Sequence, residues 1–203
     1  FLQALAAHAS GRMSGEVAPR AGPLRAASLF GEPLVSLLSP HLELVCCCGS
    51  GTDAVRKFWE IAAAFTGRSP AHVLVLRGSY IGGSGEMSSV SGLPFLRENA
   101  FAAAASADAE QWLVDAPYRK LELEALDASE PISDEELRCL AALDSRLEAC
   151  LAAGHAVGGI LFEPTRAFDG HTLSHAFVTA LDSWARRRRL LLLEDAVLMG
   201  LRC

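Results

Sequence analysis

Five short, almost unbroken apolar runs alternate with stretches of helical period, and that alternation limits the possible folds more than any other feature of the chain. The runs are LELVCCC (42–48), HVLVL (72–76), QWLVDA (111–116), AVGGILFE (156–163) and LLLLED (190–195). A strand that is apolar at nearly every position must be covered on both faces, which is the condition of a parallel sheet between helical layers. The predicted fold class is therefore α/β, a mostly parallel sheet with helices on both faces.

The stretches between the runs carry the helices. Residues 50–65 place Val55, Phe58, Trp59, Ala62 and Phe65 at helical spacing and stop at Gly67. Residues 133–153 open on Ser133 and Glu136, the spacing of a capping box, and repeat Leu137, Leu140, Leu143, Leu147 and Leu151. Residues 174–189 put Phe177, Leu181 and Trp184 on one face and end in four arginines, which suit a helix C-terminus and read as a solvated end. Residues 1–40 read as a helical lead-in broken near GEVAPRAGP, and 41–203 as the α/β core. No repeat of 20–50 residues is present, and the Gly/Ser-rich stretch 78–94 is too short to link two domains.

Composition removes several function classes. The net charge of -6 argues against nucleic acid as the main partner, because phosphate backbones are held by net basic surfaces. No apolar run reaches the roughly 18 residues of a membrane span, and no signal peptide is visible. Cys46, Cys47 and Cys48 would point to alternate faces of a strand and cannot share one tetrahedral metal. With Cys139, Cys150 and Cys203 they read as reduced, buried, structural thiols, which implies the cytoplasm or a mitochondrial or organellar matrix. The chain starts at Phe1 and closes on an apolar run at Cys203, so a piece of a longer protein is expected.

In open α/β sheets ligands bind at the carboxyl ends of the strands. Four of those ends carry polar or glycine-rich sequence: GSGTD, RGSYIGGSG, FEPTRAFDG and LEDAV. If the strands are parallel neighbours, all four converge on one rim. A glycine turn entering a helix offers free N–H groups and a partial positive charge, which suit a phosphate. Two chemistries fit. Gly49, Gly51 and Ala54 match the G-x-G-x-x-[G/A] fingerprint of a dinucleotide site, with Arg77 at the end of the next strand for a 2'-phosphate. Alternatively, a phosphorylated aromatic cofactor needs the helix N-terminus, an aromatic plate such as Tyr80, and a carboxylate such as Asp195 for a protonated ring nitrogen.

Four segments in order resemble the class III aminotransferases, pyridoxal-phosphate (PLP) enzymes of fold type I. SGTDAVRKFWEIAAAFTGR resembles their phosphate turn and the helix after it, and VLRGSYIGG resembles their aromatic-His-Gly turn. GGILFEPTRAFDG resembles their Glu-Pro strand end, and RRRLLLLEDAVLMGLR their Asp-Glu-Val strand end. The resemblance implies the large domain of such an enzyme, with the chain covering its first half to two thirds. It implies transfer of an amino group from an amine or ω-amino acid to a 2-oxo acid, by a homodimer. Ser50 and the amides of Gly51 and Thr52 would hold the phosphate, Tyr80 and Val197 would pack on the two ring faces, and Asp195 would pair with the ring nitrogen. Glu163 falls on the family's Glu-Pro acid, near the substrate side.

The chain departs from that pattern in three ways. Ile81 stands for the family's His, and Ala196 and Leu198 replace the polar residues after Asp195. The family's Schiff-base lysine lies well beyond the Asp motif, whereas the lysines here are Lys57 and Lys120, neither at that position. No catalytic residue is thus assigned within this chain. Two other readings stand beside this one: an NAD(P)-binding Rossmann-type oxidoreductase domain, and a non-catalytic α/β scaffold that binds a partner.

Overall fold

A computed structural model of the chain describes residues 48–68, 71–83, 86–97, 111–120 and 130–197. The chain divides into two units, Phe1–Gly49 and Ser50–Cys203, and the fold below is that of the second. The candidate strand 42–48 and the lead-in 1–40 lie outside the described residues, apart from Cys48.

Among the described residues four strands form one parallel sheet: β1 (Ala71–Leu76), β2 (Leu113–Val114), β3 (Ala156–Phe162) and β4 (Leu191–Glu194). Their order is β2-β1-β3-β4, and every neighbouring pair is parallel. The strand β2 is shorter than the predicted 111–116, with only Val75↔Leu113 and Leu76↔Val114 in register. The preceding Trp112 turns instead to stack flat on His72, ring centroids 3.8 Å apart.

The alternation of side chains divides each apolar run between two cores. Val73, Val75 and Leu161 face Val55, Phe58 and Ala62 of helix α1 (Gly51–Thr66). Leu74, Leu76, Ile160 and Phe162 face helices α2 (Asp134–Ala152) and α3 (His175–Arg188). The paired glycines of β3 let α1 settle closely on the sheet. A Cβ at Gly158 would lie 2.8 Å from Ala62 Cβ, and one at Gly159 would lie 2.8 Å from Phe58 Cζ.

Each of these helices is capped at its start by a serine side chain, of which only the Ser133 cap was read from the sequence. Ser50 Oγ accepts from Asp53 N at 3.1 Å, and Gly67, at φ +66°, ends α1 in the left-handed conformation. Ser133 and Glu136 make the capping box on α2. The buried Glu136 also accepts a hydrogen bond from Ser174, which caps α3 through Phe177 N, so one carboxylate joins two helix starts. The buried stripe of α2 is Glu136, Cys139, Leu143, Leu147 and Cys150 rather than the leucine repeat, and Leu137 and Leu151 are exposed. Two of the four arginines at the end of α3 meet acids, Arg186 on Asp182 and Arg188 on Asp144 and Glu148. Cys139 and Cys150 are buried thiols, but Cys48 is exposed, against the expectation of burial. No described helix is long and apolar enough to cross a membrane, and among the described residues no cluster of His, Cys, Asp and Glu is arranged for a metal.

Candidate functional site

Because the strands are parallel, β1, β3 and β4 all end on the same edge, at Leu76, Phe162 and Glu194. Asp195 continues the ladder by one step, its N–H donating to Phe162 O at 2.8 Å, which fixes where its side chain begins. Its Oδ1 accepts from Val197 N at 3.1 Å and turns the chain back towards the start of α1. There, a Cβ on Gly51 would sit 3.8 Å from Val197 Cγ2. Gly51, Ala54, Val55, Asp195 and Val197 share a small cavity of about 150 Å³. Three residues named from sequence, Gly51, Asp195 and Val197, thus meet around one space.

The other three do not line it. Thr52 packs under the turn after β1, where a Cβ on Gly82 would come within 2.7 Å of Thr52 Oγ1; at φ +111° only glycine is at ease there. Ser50 stays within its own cap, its hydroxyl donating to Asp53 Oδ2 at 2.8 Å. Helix geometry leaves the amides of Gly51 and Thr52 without intrahelical acceptors, so they are the donors facing outward. Tyr80 does not line the cavity: the residue is 40% exposed and its ring lies along Gly83, where a Cβ would meet the phenol oxygen at 3.2 Å. Ile81, which the sequence resemblance set against a His, is buried in the α1-side core. Arg77, the residue required by a dinucleotide site, instead pairs with Asp115 beyond β2 at 2.7 Å. Lys57 pairs with Glu60 on the exposed side of α1.

One residue has a larger part than the sequence indicated. Glu163, only 4% exposed, accepts from Tyr80 N at 2.6 Å through Oε2 and from Ala167 N at 3.1 Å through Oε1. Its backbone is held too: Glu163 N donates to Ser79 Oγ at 3.2 Å, and Tyr118 Oη donates to Glu163 O at 2.7 Å. The ends of β1, β2 and β3 are tied together through this residue. A buried acid after an apolar strand was the available signal, but its partners are backbone groups, which leave no mark on residue type.

Both acids of the rim are held towards their neutral forms. Burial pushes Glu163 up to about 7, aided by the nearby Asp195 charge and opposed by the N–H groups of Tyr80 and Ala167 and by Arg166. Burial also raises Asp195, against the single N–H of Val197. Burial lifts Tyr118 well above the usual phenol range, so it stays neutral at any ordinary pH. A bound cationic group beside Asp195 would restore its ionised form.

No family model matches the sequence, and no curated protein matches it. Solved structures do. A transaminase from the marine bacterium Virgibacillus superposes with a TM-score of 0.67 at 16% identity, over 98% of this chain and 42% of its own. An amine transaminase from an uncultivated Pseudomonas species, solved with PLP bound, gives 0.65 at 21% identity over 91% and 40%. Taurine:2-oxoglutarate aminotransferase from Bifidobacterium kashiwanohense, in complex with PLP and glutamate, gives 0.65 at 19% identity over 96% and 41%. At these identities the likeness is one of fold, and the chain spans about two fifths of each of these enzymes.

Proposed function

We propose that the chain is the cofactor-binding part of a PLP-dependent aminotransferase of class III, acting as a homodimer on an amine or ω-amino acid and a 2-oxo acid. The observation that carries this reading is the meeting of a helix N-terminus, at Gly51, with a half-buried carboxylate, Asp195, around one cavity at the carboxyl edge of the sheet. The transaminase fold of the solved neighbours supports it from a separate direction.

The residues present fit the cofactor's chemistry. The outward amides of Gly51 and Thr52 would take the phosphate, which the helix dipole favours. Gly82 leaves Thr52 undisturbed, since a side chain there would drive into the threonine. Val197 offers an apolar contact on one side of the cavity. Asp195 would hold a proton on the ring nitrogen, and in return its own ionised form would be stabilised. When bound, PLP supplies an electron sink for the substrate carbon that loses a proton. The lysine that joins the cofactor covalently belongs, on this reading, to the remainder of a longer protein. Adding PLP to the full-length protein should give a visible absorbance band that borohydride reduction fixes to the chain. A protein stabilised against heat by NADP and not by PLP would sink the proposal.

A further inference from the structure

We propose that Glu163 is the positioning residue for Tyr80: its ionised carboxylate clasps the turn after β1 to the loop after β3, and the clasp opens when the carboxylate takes up a proton. The clasp rests on contacts within this chain; its effect on the cofactor rests on the function proposed above.

The geometry divides the two oxygens between two segments. Oε2 receives the Tyr80 N–H at 2.6 Å, and Oε1 receives the Ala167 N–H at 3.1 Å. An ionised carboxylate accepts at both positions. A protonated one carries a hydroxyl at one oxygen, which then faces an N–H donor with a donor of its own. The bond at that oxygen is weakened, and the segment it held is loosened. What is held is specific. Tyr80 lies two residues before Gly82, which packs against Thr52 beside the proposed phosphate donors, and Ala167 precedes Phe168, whose exposed ring packs on Phe95 with centroids 5.4 Å apart.

The surroundings set the carboxylate near its switching point. Asp195 beyond β4 disfavours its ionisation, and Arg166 on its own loop favours it. Arg166 is itself committed to Asp169 and lies over the Tyr118 ring, 4.8 Å from the centroid. Tyr118, beyond β2, donates to the Glu163 carbonyl and remains neutral. Tyr80, from the β1 side, contributes its N–H. Burial dominates this balance and places the transition at about pH 7, where either state is accessible.

The test uses the full-length protein labelled with ¹⁵N-tyrosine, the Tyr80 amide being assigned with Tyr80→Phe. Its NMR peak should move with a midpoint near 7, and Glu163→Gln should abolish that movement. If the Gln variant does not fold, Asp195→Asn serves: removing the neighbouring charge should shift the midpoint downward. In parallel, PLP affinity should be about tenfold weaker at pH 6 than at pH 8 in the wild type, after subtracting the pH dependence of the Gln variant, because only about a tenth of the carboxylate is ionised one unit below its midpoint. A Tyr80 amide that stays still from pH 5 to 9, or that titrates unchanged in Glu163→Gln, overturns the clasp. A normal amide titration with no PLP binding at any pH overturns the cofactor reading and leaves the clasp standing.

Discussion

At the scale of single residues, the site rests on two carboxylates with different tasks. Asp195 has one N–H partner and a cavity beside it, so it can take a cation. Asp195→Asn removes the charge and keeps the shape. We expect PLP binding by the full-length protein to weaken by about 2 kcal/mol, or roughly thirtyfold, as measured by equilibrium titration, with little change in melting temperature. Gly82→Ala is the complementary case, in which the loss is steric. At φ +111° and 2.7 Å from Thr52 Oγ1, the new methyl should destabilise the fold by about 1–3 kcal/mol in chemical denaturation. Asp195 was legible in the sequence because a charged residue closing the run LLLLE needs a reason to be there. The grip of Glu163 was not, since its partner is the backbone of a residue 83 positions away.

At the scale of elements, the sequence was most informative where a local rule decides the outcome. The caps Ser50, Ser133 and Ser174 and the stop at Gly67 are set by neighbours within a turn, and each helix follows closely the span its period predicts. Tertiary contacts decided the rest. The buried face of α2 rotates onto Cys139 and Cys150 because Glu136 must reach Ser174, and that leaves Leu137 and Leu151 in solvent. Ser174→Ala should therefore cost more than an ordinary cap. It removes the acceptor for Phe177 N and leaves the Glu136 carboxylate short of a donor, so a loss of about 2 kcal/mol, at the upper end for cap substitutions, is expected by urea denaturation. Gly159→Val in β3 tests the other face, since its side chain would enter the Phe58 ring and lift α1 from the sheet. Loss of several degrees in melting temperature, with PLP affinity reduced alongside, is the expected outcome, because α1 carries the phosphate donors.

At the scale of the whole molecule, burial of acids at the sheet edge gives stability a definite pH dependence. Glu163 moves from an ordinary 4.5 to about 7 in the fold, so between those values the native state binds more protons than the unfolded chain. Its contribution is full below 4.5 and declines as pH rises to 7; Asp195, also raised, acts in the same direction. The cofactor-free protein should melt at a lower temperature at pH 8 than at pH 5.5, and Glu163→Gln should flatten most of that slope. Closing the clasp thus lowers overall stability while it orders the rim. The parallel architecture and the gathering of the strand ends were legible from the apolar runs alone. The position of Tyr80 outside the cavity was not, because a turn's direction depends on glycines packed against distant side chains.

The flat stack of Trp112 on His72, with His155 edge-on at 5.0 Å from both rings, lies at the opposite edge of the sheet from the cavity. Burial, and then the charge of His155, holds His72 below the ordinary imidazole range. An imidazolium in face contact with an indole quenches its emission, so Trp112 is a built-in optical gauge of that far edge. Its fluorescence should dim only below the ordinary imidazole range, a readout of the far edge distinct from the rim that holds Glu163.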